Sequence, residues 1–198
     1  AVPVMVDIDD TLTLDPKAVE AAITPKTKCV MPVHMCGSPA DIDALKAICD
    51  KHKLVLLEDA CQAIGATWKG HSVGTVGRAG AFSFDYVKTM TCGEGGAVIT
   101  NDKDIYTKCD AYSDHGHDHL GGADRGADQH PYMGYNYRIS ELNAAIGLAQ
   151  IRRLKKVIDL QKRNSGIIRE ALSKIDGVSF RRIPEGGDEN ASFLSFFL

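Results

Sequence analysis

An excess of positive charge is missing from this chain: 23 Lys and Arg stand against 26 Asp and Glu, for a formal net charge of −3. Without a basic field, neither a nucleic acid nor an anionic membrane surface is an expected partner. No apolar run approaches the length of a membrane span. Six cysteines occur, at 29, 36, 49, 61, 92 and 109, but no two of them form a CxxC pair. In 198 residues with an ordinary apolar fraction, they read as the reduced thiols of a cytoplasmic protein rather than a disulfide framework. Internal repeats and low-complexity segments are also lacking.

Hydrophobic residues make up 44% and charged residues 25%, as in a soluble globular protein with one sizeable core. Both ends lie in apolar runs, from Ala1 to Val6 and from Phe193 to Leu198, and the chain reads as part of a longer one. Strands and helices alternate along the first sixty residues. Val2 to Asp7 is an apolar run, and Asp15-Pro16 caps a helix reaching Ile23. Thr27 to Val33 is the next run. Ser38-Pro39 caps a second helix, with Ile42, Leu45, Ile48 and Cys49 on one face. Leu54 to Leu57 is a short apolar strand ending in Glu58-Asp59. Such a β-α-β-α-β order predicts an α/β fold with a mainly parallel sheet and flanking helices.

Farther on, glycine marks a loop from Gly65 to Gly80, and two short strands run over Gly80–Phe84 and Ala97–Thr100. Asp102 to Tyr112 reads as a helix, and residues 113–136 as a long polar, glycine-rich loop. Ser140 to Ile175 is amphipathic throughout, and Val178 to Ile183 reads as a strand.

Two segments carry chemistry. In Phe82-Ser83-Phe84-Asp85-Tyr86-Val87-Lys88, a lysine follows a strand and precedes the turn Thr91-Cys92-Gly93-Glu94-Gly95-Gly96. Partial desolvation there would lower its pKa and suit it to Schiff-base chemistry, while the glycines allow a planar group to come close. A plain surface lysine fits the local pattern too. In Leu57-Glu58-Asp59-Ala60-Cys61-Gln62-Ala63, Asp59 stands at a strand's carboxyl end, where open α/β sheets place ligands. It could bind a metal, act as a base, pair with a pyridinium nitrogen or simply cap a helix.

Taken together, VDIDDTLTLDP, AAITPKTKCVMPVH, EDACQAIGA, GAFSFDYVKTMTCGEGGAVIT and GYNYRISELNAAIGLAQ resemble, in order, the DegT/DnrJ/EryC1/StrS family of sugar aminotransferases. That resemblance implies the type I fold of pyridoxal 5'-phosphate (PLP) enzymes, cut at both ends. Residues 1–175 would be the PLP-binding large domain, and 176–198 the start of a small domain. It makes Lys88 the Schiff-base lysine and Asp59 the partner of the pyridine nitrogen. Gln62 falls beside the ring and its 3-hydroxyl, and Ser83 supplies a hydroxyl to the phosphate. Asn136 matches an asparagine that reaches the phosphate in a neighbouring subunit, implying a homodimer with shared sites. The implied reaction transfers an amino group from an amino acid, glutamate above all, to a keto-sugar. The family's phosphate-cradling segment would lie before residue 1, and Asp85-Tyr86-Val87 departs from many members. DHGHDH and the segments after it are similar to transaminases making 8-amino-3,8-dideoxy-octulosonate, a lipopolysaccharide sugar. Dehydratases of the same family carry histidine where this chain has Lys88.

Other patterns compete. Asp7 and Asp9 in VDIDDTLT resemble the first motif of a haloacid-dehalogenase-type phosphatase. No second Asp pair for Mg²⁺ follows a later strand. A non-catalytic fragment of an aminotransferase is a further alternative. His115, His117 and His119 alternate as metal ligands could, but their Asp- and Gly-rich setting reads as a solvated loop. His34, at a strand end, is either structural or close to the site.

Overall fold

The computed structural model describes residues 1–119, 127 and 129–198. The Asp15 side chain accepts the Lys17 N–H and Pro16 takes the first turn, which starts α1 (Pro16–Ala22). A two-residue strand, β1 (Cys29–Val30), leads to α2 (Ile42–His52). Here the cap is Asp41, whose side chain accepts the Ala44 N–H, so the helix begins later than Ser38-Pro39 predicted. Ile42, Leu45, Ile48 and Cys49 form its buried face, as their spacing predicts, and Lys53 ends it in a left-handed conformation.

β2 (Val55–Asp59) follows. Inside the expected 65–80 loop, β3 (Thr67–Trp68) and β4 (His71–Ser72) form a hairpin. Lys69 and Gly70 turn it with positive φ at both positions, the twist that two-residue hairpins favour. β5 (Ala79–Ser83) and β6 (Gly96–Thr100) precede α3 (Lys103–Ser113), which Asp102 caps. The Ser140–Ile175 region is two helices, α4 (Glu141–Ile151) and α5 (Leu154–Leu172), parted at Arg152-Arg153. Only Ser179–Phe180 of the last expected strand is extended in a ladder, as β7. It pairs with β9 (Phe196–Phe197), while β8 (Gly187–Asp188) joins β3.

The main sheet runs β1-β2-β5-β6. Its first two pairings are parallel and β5–β6 is antiparallel, so the expected mainly parallel α/β sheet is present. Val2 to Asp7 forms no strand: only Ile8 and Leu14 bridge there, and Val2, Val4 and Met5 are exposed. Behind the sheet, α2 packs on β1, β2 and α1. Val30, Leu45, Leu56, Trp68, Val73 and Phe82 share this core, each such side chain contributing about 1.5–3 kcal/mol by burial. Gly80 is required by close packing, since a Cβ there would lie 2.0 Å from the Gly74 carbonyl.

Of the 113–136 loop, residues 120–126 and 128 lie outside the described residues. The rest folds back on itself: His115 N–H donates to Tyr135 O, and Asp114 bridges Asn136.

Candidate active site

Parallel pairing sets the site's position. Asp59 is in register with Ala81, so the carboxyl ends of β2 and β5 reach one edge of the sheet. Asp59 closes β2 and Ser83 closes β5 at that edge. The chain then loops out and returns as β6, with Gly96 opposite Ser83.

Lys88 sits in that loop, half-buried. Its position depends on Asp85, whose carboxylate accepts the Val87 N–H at 3.0 Å and whose carbonyl accepts the Lys88 N–H at 3.1 Å. An Asx turn of this kind fixes the backbone without regular structure. The base of the loop is closed by Phe84 N–H to Gly95 O and Cys92 N–H to Phe84 O. Asp85 thus has a local structural task.

Asp59 is held on both sides. Its N–H donates to Pro32 O, and its carbonyl accepts the His34 N–H, each at 2.9 Å. Oδ1 accepts the Cys61 N–H at 3.0 Å. Burial pushes the Cys61 thiol up, the neighbouring Asp59 carboxylate pushes it further, and Lys88 opposes them, leaving it at about 11. Asp59 and Lys88 are 29 positions apart in sequence, and the paired ends of β2 and β5 bring their segments to the same edge of the sheet.

Gln62 and Ser83 differ in what they leave free. The Gln62 Oε1 accepts the Cys36 N–H at 2.8 Å, so its amide presents N–H donors to any ligand. The Ser83 hydroxyl accepts only a long 3.5 Å contact from Asp85 N–H among the described residues. Asn136 is exposed, and none of its described hydrogen bonds reaches Lys88, Asp59, Gln62 or Ser83.

Beneath the edge lies a buried pair that the sequence left open. His34 Nδ1 accepts the Ala40 N–H, which puts the ring proton on Nε2, and that N–H donates to Glu58 Oε2 at 3.0 Å. Glu58 also accepts the N–H groups of Gly74, Val76 and Gly77. His34 is thus structural and adjoins the site through its backbone.

Two rival signals have other partners. Asp9 accepts the Thr11 N–H and pairs with Arg182, and Asp7 lies in no strand, so neither stands where a strand-end nucleophile would. Asp114, His115 and His117 bring ligand atoms within 4.8 Å of one another, yet the Arg138 guanidinium bonds both Asp114 and His115 Nδ1. A cation would have to displace that positive charge.

The profile of the DegT/DnrJ/EryC1/StrS aminotransferase family matches residues 1–198. The chain belongs to this family. Its fold is that of the type I PLP-dependent aminotransferases, and the family's cofactor is PLP. The L-glutamine:2-deoxy-scyllo-inosose aminotransferase of Streptoalloteichus tenebrarius is 42% identical over 180 residues, 88% of this chain and 42% of that protein. An aminotransferase from Psychrobacter cryohalolentis superposes with a TM-score of 0.89 at 35% identity, covering 96% of this chain and 52% of that one. The E. coli GDP-4-keto-6-deoxy-D-mannose-3-dehydratase, solved with bound hydrated PLP, gives 0.86 at 27% identity, covering 96% and 52%. The DegT-type chain described here spans about half the length of these relatives.

The donor set at the sheet edge fits PLP. A carboxylate suits a pyridinium, an amine an aldehyde, a hydroxyl a phosphate, and amide N–H donors a phenolic oxygen. Sequence reasoning missed Cys61, although it lies inside the EDACQA motif. It also missed Arg181 and Asn190, which reach partners more than a hundred positions away.

Proposed function

We propose that this chain is part of a PLP-dependent aminotransferase that moves an amino group from an amino acid to a keto-sugar. The observation that carries the reading is the strand register that sets Asp59 at the end of β2 beside β5, whose own end leads into the Lys88 loop at the same carboxyl edge of the parallel sheet. Bound there, PLP would supply an electron sink for a carbanion next to the transferred nitrogen. Lys88 would hold the cofactor through its amine and, once displaced by the donor, carry a proton between substrate carbon and cofactor. Asp59 would face the ring nitrogen and keep it protonated, Gln62 would donate to the 3-oxygen, and Ser83 would donate to the phosphate. Lysine at 88 favours transamination over the family's dehydration chemistry.

The relative from Streptoalloteichus tenebrarius is named for L-glutamine and a keto-cyclitol. For this chain we infer a keto-sugar, keto-sugar acid or keto-cyclitol as acceptor, with glutamine or glutamate as donor. The resemblance of DHGHDH to octulosonate transaminases supports a product used in lipopolysaccharide or another cell-surface sugar. Six free thiols are in keeping with work in the cytoplasm.

A homodimer with shared sites is part of the proposal. α4 has no buried residue, although it carries Leu142, Ile146, Leu148 and Ile151, and Leu142 is 79% exposed. An apolar helix left open needs a cover, and Asn136 lies just before it. Residues 1–175 would form the large domain and 176–198 open the small one.

Borohydride reduction in the presence of PLP, followed by peptide mass spectrometry, tests the reading. A pyridoxyl group on Lys88 supports it, and one on a different lysine overturns it. Screening keto-sugars and keto-cyclitols with each donor would then fix the substrate.

A further inference from the structure

We propose that Arg181 and Asn190 are positioning residues that fix the direction in which Gln62 presents its amide to the cofactor. The proposal rests on the PLP reading for what Gln62 faces, but the network itself lies wholly within this chain. Gln62 is held at two points. Its backbone carbonyl accepts the Asn190 Nδ2–H at 3.0 Å, and the same amide group donates to Ile64 O at 3.1 Å. Its side-chain Oε1 accepts the Cys36 N–H at 2.8 Å.

Cys36 offers that N–H from the Met35–Gly37 turn, and its own backbone there is held in an unusual shape. Its φ of 55° and ψ of 34° are left-handed, a region costly for a residue with a Cβ. Arg181 compensates by bridging the turn: its guanidinium donates to Met35 O at 2.8 Å and to Cys36 O at 2.9 Å. Glu189 neutralises it at 3.0 Å, and only 2% of Arg181 is exposed. Asn190 secures the same turn through its N–H to Gly37 O at 3.0 Å. A Cβ at position 37 would fall 1.9 Å from Asn190 Oδ1, so glycine is needed for this approach. Ser192 then fixes the Asn190 side chain, donating to Oδ1 from both its N–H and its hydroxyl, at 3.0 and 2.8 Å.

The consequence is chemical. With Oε1 turned to Cys36, the side of the amide left for a ligand is its NH₂, whose N–H donors suit an anionic or phenolic oxygen. A buried arginine and a fully buried asparagine, both satisfied, make a rigid support for that choice.

Two measurements test it. In nitrogen-labelled, cofactor-free protein, the Gln62 side-chain NH₂ signals are identified by their loss in Gln62→Ala. They should be narrow, distinct and slowly exchanging in the unaltered chain, and averaged in Arg181→Lys and in the milder Ser192→Ala. Unchanged Gln62 signals in both variants would overturn the proposal, whatever the chain binds. The second measurement is PLP dissociation across a double-mutant cycle. Gln62→Ala and Arg181→Lys should each weaken PLP retention about fivefold, the scale of one hydrogen bond. Combined, they should lose no more than either alone. Losses that multiply would show that Arg181 acts on general stability and not through Gln62. If Arg181→Lys does not fold, Ser192→Ala runs the same cycle. Failure of the unaltered chain to bind PLP would count against the proposed function, while the amide signals would still decide the positioning role.

Discussion

His34 Nε2 stands 3.0 Å from Glu58 Oε2, with both side chains wholly shielded from solvent. Successive residues of a strand face opposite ways, so Glu58 points away from the face shown by its neighbour Asp59. The backbone N–H of His34 meanwhile donates to the Asp59 carbonyl. One residue thereby ties both members of the Glu58-Asp59 pair, and the strand end that carries the candidate catalytic carboxylate is stiffened from behind.

Removing Glu58 should be costly. Glu58→Ala would strand the Gly74, Val76 and Gly77 N–H groups together with the His34 N–H, and a loss of about 1–3 kcal/mol for each donor left buried without a partner is expected. Thermal unfolding of the cofactor-free chain measures it. The sign of the pH dependence follows from the same contacts. Burial pushes the Glu58 carboxyl up, but His34 and the Gly77 and Gly74 N–H donors outweigh it and leave it below its ordinary value. The stability it adds is present at neutral pH and lost as pH falls below about 4.3 through its folded value. Glu58→Gln should flatten that acid limb, and an acid limb identical in the two proteins would count against the argument.

How far the sequence could be read follows from what each segment needs. Asp15-Pro16 and Asp102 act within one helical turn, so α1 and α3 begin where the residues say. A strand end and a glycine turn are local patterns that draw attention to Asp59 and Lys88, but the roles expected of them came from the family resemblance of the surrounding motifs. The Val2–Asp7 run fails as a strand because apolar content cannot supply a partner ladder, and none pairs with it here. Asp41 and not Ser38 caps α2, and Ser38 is fully buried, an environment that only tertiary structure defines. No residue at Arg152-Arg153 explains why α4 and α5 part there. The Gln62 support escaped notice for the simplest reason: Arg181 and Asn190 reach it across well over a hundred residues.

Asp59→Asn should retain PLP and lose turnover. An amide keeps the shape and the contact with Cys61 N–H, but it cannot hold a ring nitrogen protonated. A fall in kcat on the order of a hundredfold is expected, the scale of losing one directed electrostatic contact in a transition state. Cofactor absorbance and single-turnover kinetics on the whole enzyme check it. Near-normal turnover would remove Asp59 from the pyridinium role.

Cys61 gives a readout of the site's charges that needs no cofactor. Raised to about 11, its thiol is almost wholly protonated at pH 8, and only the thiolate attacks iodoacetamide. Mass spectrometry should find Cys61 among the slowest cysteines to label. Asp59→Asn should speed that labelling, by about tenfold for each pKa unit removed. Lys88→Ala should slow it, since the amine is what favours the thiolate. Changes of the opposite sign would mean that Asp59 and Lys88 do not converge on this sulfur.

Asn136 carries the prediction about assembly. It is exposed, pairs through its backbone with Asp114, and precedes the uncovered apolar helix α4. A two-fold interface over that helix would carry each Asn136 into the opposite site, so that one contact serves both. Asn136→Ala should then weaken PLP binding by about 1.5–3 kcal/mol, the worth of a hydrogen bond to a charged group. Mixed dimers decide whose site it serves. Chains with Asn136→Ala alone and chains with Lys88→Ala alone should each be deficient. In a mixed dimer with shared sites, both lesions fall in one site and the other is intact, so activity should return on mixing. If subunit exchange is demonstrated and no activity returns, Asn136 does not act across the interface.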